Sequence, residues 1–379
     1  MTRYLNSFIQ QDLTQKMVFI GGPRQVGKTT LAQNLAQQHY ANYIYFNWDN
    51  DWDQRRIRQQ QWPNNTPLVI FDELHKYPHW KQWLKGLYDK KPEHQQYLVT
   101  GSARLNVYKK GGDSLLGRYH YWRLHPFTLD ELPYNISYEQ GYQRLMKLGG
   151  FPEPFLGNDA RQAKRWHTQR LNKLLREDVR DLSMVHQIKL LEVYINALRE
   201  RVGSSLVHSN LAQDLQISPT TSQNWLALIE NLYIAFAIQP LIKNIPRAIQ
   251  KPPKVYFYDN GDVIGDDSII LENLVATHLL KQLHFREDYY GERCQLHYIR
   301  DRNGREVDFA TVIDGQVDAL IEVKLSDESP STGLKYYTNR LSPNRAVQIV
   351  GNNRHPFDKG TIHVTNPIDY FRKGPWHKA

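Results

Sequence analysis

The sequence contains a single cysteine, Cys294, in 379 residues. That excludes a disulfide framework within the chain and any cysteine-cluster zinc site. Long apolar runs are also missing. The longest are short, such as 68–71 and 234–238, whereas a membrane span needs about 20 residues, so no spanning helix is expected. The first 14 residues are polar and lack the apolar stretch of a secretory leader, so no leader is expected and the cytoplasm is the expected compartment. No internal repeat or low-complexity tract stands out. Acidic residues are outnumbered, with 39 Asp and Glu against 48 Lys and Arg, a net charge of +9. That excess suits a polyanionic partner, although many basic proteins bind none. Hydrophobic residues make up 40% and the mean hydropathy is −0.64. Ordinary globular cores are within reach, and the length argues for two or three domains.

Short apolar runs alternate with helical stretches over the first part of the chain. Residues 17–20, 43–47, 68–71 and 96–100 read as strands, with 119–124 as a fifth. Helices are expected near 29–39 and 80–88. Such alternation, with strands apolar on both faces, predicts a parallel sheet covered on both sides. Residues 126–154 are rich in Pro and Gly, including Gly149-Gly150-Phe151-Pro152-Glu153-Pro154, and a domain change is expected there. Residues 160–202 read as charged helix, with 161–180 as a solvated face. After Asp259-Asn260-Gly261 a third unit begins. It has a helix over 269–283 and strands at 294–299, 306–313, 317–324 and 346–350, with a hairpin turn at Asp314-Gly315. The expected domains are 1–154, 155–260 and 261–379.

Gly22-Pro23-Arg24-Gln25-Val26-Gly27-Lys28-Thr29 matches G-x-x-x-x-G-K-[ST] between a strand and a helix. The glycines let backbone N–H groups close around phosphate oxygens, Lys28 reaches the β and γ phosphates, and the Thr29 hydroxyl ligates Mg²⁺ with Thr30 beside it. Some 40 residues later, an apolar strand ends in Asp72-Glu73. In P-loop enzymes an Asp here holds the metal and a Glu orients the attacking water. ATP and Mg²⁺ are the expected cofactors. The nucleotide site is expected to comprise 22–30, Asp72 and Glu73.

These motifs resemble the AAA+ class of ATPases, and so does Tyr97-Leu98-Val99-Thr100-Gly101-Ser102-Ala103-Arg104. The resemblance implies a γ-phosphate sensor at the tip of the fourth strand, with Thr100 and Ser102 both candidates. Leu116-Gly117-Arg118, followed by Arg123-Leu124-His125-Pro126-Phe127, is similar to a branch that joins this ATPase to a C-terminal domain of uncharacterised function. Arg118 would neutralise transition-state charge, in cis or from a neighbouring subunit; otherwise it is a solvent or structural arginine. Arg24 is a further phosphate candidate.

Residues 211–226 have helix-turn-helix spacing, with Ala212 where the helices touch, Ile217 at the turn, and Trp225, Leu226 and Ile229 facing the core. Thr220, Thr221, Gln223 and Asn224 would be exposed where DNA-reading helices place contact groups. Residues 254–258 could form a wing lined by Lys243, Arg247, Lys251 and Lys254. A winged helix serving only protein contacts is the alternative.

In the last unit, Glu306-Val307-Asp308-Phe309 and Ile321-Glu322-Val323-Lys324 flank a hairpin. Pairing brings Asp308 near Glu322, and Glu322 shares a face with Lys324. Together with Glu272 on the preceding helix, this resembles the PD-(D/E)XK superfamily of restriction-endonuclease-like nucleases. The resemblance implies a second Mg²⁺ or Mn²⁺ on Glu272, Asp308 and Glu322, with Lys324 positioning the attacking hydroxide. A solvated ion-paired hairpin face is the blander reading, and a fold that has lost cleavage is another.

His75, His79 and His94 read as surface or packing residues, and the aromatics of 48–62 as packing more than base stacking. The expected protein is an α/β P-loop ATPase, a winged helix and a restriction-endonuclease-like α/β domain. It would hydrolyse ATP and act on DNA, with no membrane partner. An ATP-gated metal-dependent nuclease and a non-catalytic nucleotide switch with protein partners are the alternatives, and homo-oligomerisation is compatible with each.

Overall fold

The structure, a computed structural model, describes residues 3–101, 115–178, 185–241, 251–353 and 355–377. It divides into two compact units, Met1–His125 and Pro126–Ala379.

The first unit is built on strands β1 (Met17–Gly21), β2 (Tyr43–Asn47), β3 (Leu68–Asp72), β4 (Gln96–Thr100) and β5 (Tyr119–Arg123), in the order β2-β3-β4-β1-β5 and all parallel. β1 and β3 are buried along their whole length, which is why they read as unbroken apolar runs. The aromatics that follow β2 pack inward. Trp48 stacks on Tyr77 at 4.4 Å, and Trp62 meets Phe46 and Phe71 at 5.6 and 5.7 Å. Trp52 is the exception, two-thirds exposed. From β1 the chain crosses β4 and β3 to reach β2, whereas β5 lies on the other side of β1. Ligands of open α/β sheets bind at such a switch point, outside the carboxyl ends of the strands.

The second unit holds β6 (Ala235–Pro240), β7 (Lys254–Phe257), β8 (Cys294–Arg300), β9 (Glu306–Ile313), β10 (Gln316–Lys324), β11 (Arg345–Val350), β12 (Phe357–Lys359) and β13 (Ile362–Thr365). They form one mixed sheet, ordered β12-β13-β11-β10-β9-β8-β6-β7. The helix Asp267–Tyr290 packs on β7, β8 and β10. It starts at Asp266, whose side chain accepts from the backbone of Ser268 and Ile269, and ends at left-handed Gly291. It runs past the expected end at 283 because no breaker precedes that glycine.

Helices His208–Asp214 and Pro219–Asn231 form the expected pair. Ser218 caps the second with its side chain on the Thr221 N–H. Ala212, Trp225, Leu226 and Ile229 are buried. Thr220, Gln223 and Asn224 are exposed, Thr221 and Ile217 only partly.

Three sequence readings change. β7, expected as a wing strand, and β6, where the second helix was expected to run on to 239, join the sheet of the third module because β6 pairs with β7 and with β8. The connector expected over 126–154 and the boundary expected at Gly261 are tightly packed: a Cβ at Gly149 would overlap the Asp259 carboxylate, and one at Gly261 the His167 ring. The helix Ala160–Asp178 is not simply a solvated face. His167 and Arg170 are buried on it, and Arg170 pairs with Asp262 at 3.2 Å and lies 4.0 Å over the Phe151 ring.

Candidate functional site

The parallel register aligns the carboxyl ends of five strands. Asp72 sits opposite Asn47 and Thr100, Ile20 opposite Thr100, and Gly21 opposite Arg123. The G-x-x-x-x-G-K-T loop leaves β1 at this edge and enters the helix Lys28–His39. Its shape depends on its glycines. Gly22 has φ +136 and packs so tightly that a Cβ would overlap the Leu124 carbonyl oxygen; Gly27 caps the helix at φ 96. Gln25 adds a third left-handed residue. Lys28 is 6% exposed, and its ammonium donates to the carbonyls of Gly22 (3.0 Å) and Pro23 (2.6 Å).

Asp72 gathers neutral donors. Oδ2 accepts from Thr29 Oγ1 and Tyr45 OH, each at 2.7 Å, and Oδ1 accepts from Thr100 Oγ1. Glu73 follows in a left-handed conformation, with its N–H on the Thr100 carbonyl at 2.9 Å. Its Oε2 is buried without a hydrogen bond, 3.4 Å from Lys76 Nζ and 3.6 Å from His75 Nε2. Burial raises the Glu73 carboxyl above the ordinary range, while Lys76, Lys28 and Arg24 pull the other way. Thr30 is exposed on the first helical turn. Ser102 lies outside the described residues.

The sequence reading missed several neighbours. Arg3, buried, donates to the Val26 carbonyl at 2.9 Å and to the His125 carbonyl at 2.6 Å, bracing the loop from a position with no motif. Tyr45 is hidden in an apolar strand, and His75 reads in sequence as a surface or packing residue.

Arg118 is not brought to this edge. Its carbonyl accepts from the Met17 N–H, so it precedes β5 at the amino end of the sheet, about 16 Å along the strand from the level of Gly21. There it forms a two-pronged ion pair with Asp89, at 2.7 and 3.1 Å. The cis role is therefore corrected: the strand length separates Arg118 from the loop of its own chain.

In the second unit, pairing of Ile321 with Phe309 sets Glu322 opposite Asp308. The four expected residues converge, but with company. Glu272 accepts from Tyr256 OH at 2.7 Å, Asp308 Oδ2 accepts from the Val323 N–H at 2.9 Å, and Lys324 pairs with Glu322 at 2.8 Å. Burial, then Asp308, pushes Glu272 and Glu322 up to about 7. Lys254, expected on a solvent-facing wing, is 3% exposed and enters the cluster at 2.6 Å from Glu306, 3.8 Å from Glu272 and 3.9 Å from Asp308. Burial would pull its ammonium down, but Glu272, Asp308 and Glu306 hold it above the ordinary lysine value. Among the described residues no group of three His, Cys, Asp or Glu side chains is arranged to hold a metal ion, so the second metal expected here is not supported. Lys243 and Arg247 lie outside the described residues. Cys294 is isolated, its thiol pushed up to about 12 by burial and by Glu287.

The strand order, the loop after β1 and the carboxylates ending β3 define the first unit as a P-loop nucleotide-binding fold. Residues 14–133 match the family described as an AAA domain. Residues 139–263 and 268–370 match two domains of unknown function, DUF8612 and DUF4143. Uncharacterized proteins of Mycobacterium tuberculosis and Mycobacterium bovis are each 24% identical over 262 residues, 68% of this chain. The match spans only 58% of the length of those relatives. An uncharacterized protein of Methanocaldococcus jannaschii is 24% identical, with 92% of this chain and 85% of that protein covered. Among solved structures, the RuvB Holliday junction branch migration motor of Thermotoga maritima is similar at 16% identity and a TM-score of 0.32, covering 61% of this chain and 88% of that one. Bacteroides Pif1 bound to ssDNA is similar at 14% identity and a TM-score of 0.22, covering 37% and 44%. Among the described residues no helix is long and apolar enough to cross a membrane.

Proposed function

We propose that this chain is a Mg²⁺-dependent ATP-binding and ATP-hydrolysing protein of the cytoplasm whose nucleotide cycle acts on DNA. The observation that carries the reading is the convergence of Lys28, Thr29, Asp72, Glu73 and Thr100 at one edge of the parallel sheet, in and beside a loop that turns at Gly22 and Gly27 with positive φ. The donor set fits Mg²⁺ and a polyphosphate. Hydroxyl and carboxylate oxygens are what a hard cation takes, and a glycine-rich loop at a helix N-terminus is what phosphate takes.

Thr29 and Asp72 would hold Mg²⁺, which supplies positive charge against the phosphate oxygens. Lys28 would turn from its loop carbonyls to the β and γ phosphates of the substrate. Glu73 would take the proton of the attacking water, a role that its raised affinity for protons favours near neutral pH. Thr100 would report γ-phosphate through its bond to Asp72, with Ser102 as the alternative. Arg118, distant from its own loop, is left a role only toward a neighbouring copy. We read residues 208–240 with β7 as a winged helix, whose exposed Thr220, Gln223 and Asn224 would meet DNA, and the remaining sheet as restriction-endonuclease-like.

The test is nucleotide binding and turnover in two variants. Lys28→Ala is expected to lose ATP affinity. Glu73→Gln is expected to bind ATP while kcat falls by about 10²–10⁴. Normal hydrolysis by Glu73→Gln would remove Glu73 as the base.

A further inference from the structure

We infer that the acidic cluster of the second unit is closed by an internal cation: the Lys254 ammonium stands where the fold resemblance calls for a divalent metal, and the cluster takes neither Mg²⁺ nor Mn²⁺. Three carboxylates from two elements face this one group, Glu306 and Asp308 from β9 and Glu272 from the helix Asp267–Tyr290, at 2.6, 3.9 and 3.8 Å. A buried ammonium is stable only when such partners surround it. The position of Lys254 is fixed from several sides. β7 pairs with β6, setting Lys254 opposite Ile238, Ser205 bridges to Lys254, and the Tyr298 ring lies 5.4 Å from its Nζ.

Several carboxylate oxygens have further partners, whereas Glu322 Oε2 is buried without a hydrogen bond. Asp308 Oδ2 is bound to the backbone of Val323, Glu272 Oε1 to Tyr256, and Glu322 Oε1 to Lys324. Gly203 approaches Glu272 so closely that a Cβ there would lie 2.7 Å from Oε1. Its N–H is bonded to the Val255 carbonyl at 3.2 Å, and Leu206 N–H to the Pro253 carbonyl at 2.7 Å, so residues 203–206 clamp β7 over the acids. Mg²⁺ demands near-octahedral oxygen coordination and keeps several of its waters. A side chain only 4% exposed, in contact with three of the carboxylates, leaves no place for that shell. The geometry thus retains the order of a nuclease centre while its charge is balanced from within the chain.

The test is Mn²⁺ binding by the whole chain without nucleotide, read by electron paramagnetic resonance and by melting temperature. The wild type is expected to bind no Mn²⁺ that Asp308→Asn removes. Lys254→Met should melt at a lower temperature and regain several degrees in millimolar Mn²⁺, a gain absent from the wild type. Micromolar Mn²⁺ binding by the wild type that vanishes in Asp308→Asn would overturn the inference. So would a folded Lys254→Met that takes no Mn²⁺. Should Lys254→Met fail to fold, the wild type and Asp308→Asn pair decides alone.

Discussion

The chain carries two sets of carboxylates with a lysine nearby, and the two are compensated in opposite ways. Asp72 is held by three neutral hydroxyls, from Thr29, Tyr45 and Thr100, while Lys28 turns to the carbonyls of its own loop. Glu272, Glu306 and Asp308 instead face the ammonium of Lys254. A hydroxyl orients a carboxylate without cancelling its charge, so Asp72 keeps its attraction for a cation. An ammonium cancels charge and fills space. Residue type and spacing alone do not separate an acid awaiting a metal from one already neutralised; the partner's charge does.

That contrast can be broken or sharpened by experiment. The largest expected effect concerns Arg118. If the ATPase assembles, Arg118→Ala should lower kcat by about 10³, the low end for an arginine supplied in trans. Mixing Arg118→Ala with Lys28→Ala should restore part of the activity, because each supplies what the other lacks. Equal turnover by wild type and Arg118→Ala would leave Arg118 as the partner of Asp89 alone.

The matched pair Asp72→Asn and Asp308→Asn addresses the comparison itself. Asp72→Asn is expected to reduce Mg²⁺-dependent nucleotide affinity by about 10–100-fold, as loss of a residue that orients a metal does. Asp308→Asn should leave ATPase activity unchanged, and no Mn²⁺-dependent plasmid cleavage should distinguish the wild type from Lys324→Ala.

Much of this was legible in sequence. The P-loop, the strand ending in Asp72-Glu73 and the helix-turn-helix pair each combine a local pattern with a local consequence. The positions of β1, β3 and β4 follow because a parallel strand buried on both faces announces itself as an apolar run. What was not legible depends on contacts distant in the chain. Lys254 lies 18 residues from Glu272 and over 50 from Glu306 in sequence, and only the pairing of β6 with β8 brings it into the cluster. Arg3 carries no motif. The cis option for Arg118 was open in sequence because sequence does not tell which end of a strand a residue occupies relative to a site. Gly149 read as linker and Gly261 as a domain boundary because small residues at a tight junction look the same as small residues in a flexible one.

That last point has its own test. Gly261→Ala forces a Cβ into the His167 ring and should cost about 1–3 kcal/mol, as overpacking does. Gly86→Ala, where no atom lies within 4 Å of the new Cβ, should stabilise its helix by about 0.5–1 kcal/mol. Urea unfolding curves compare the two.

The smallest effect is a pH slope at the same junction. Burial pushes the Asp259 carboxyl up to about 6 from the ordinary 3.8, although His167 pulls it down. The folded state therefore binds that proton more tightly than the unfolded chain. The stability it gives is complete below pH 3.8 and is lost as pH rises through about 6. Asp259→Asn keeps an oxygen for the Gly150 N–H and should flatten the melting profile across that window.

The most direct measurement counts Mn²⁺ bound per chain, with and without a non-hydrolysable ATP analogue. One ion with nucleotide and none without it is the expected result, because the P-loop edge accepts the metal and Lys254 closes the other cluster. An ion that binds without nucleotide and disappears in Asp308→Asn would contradict the account.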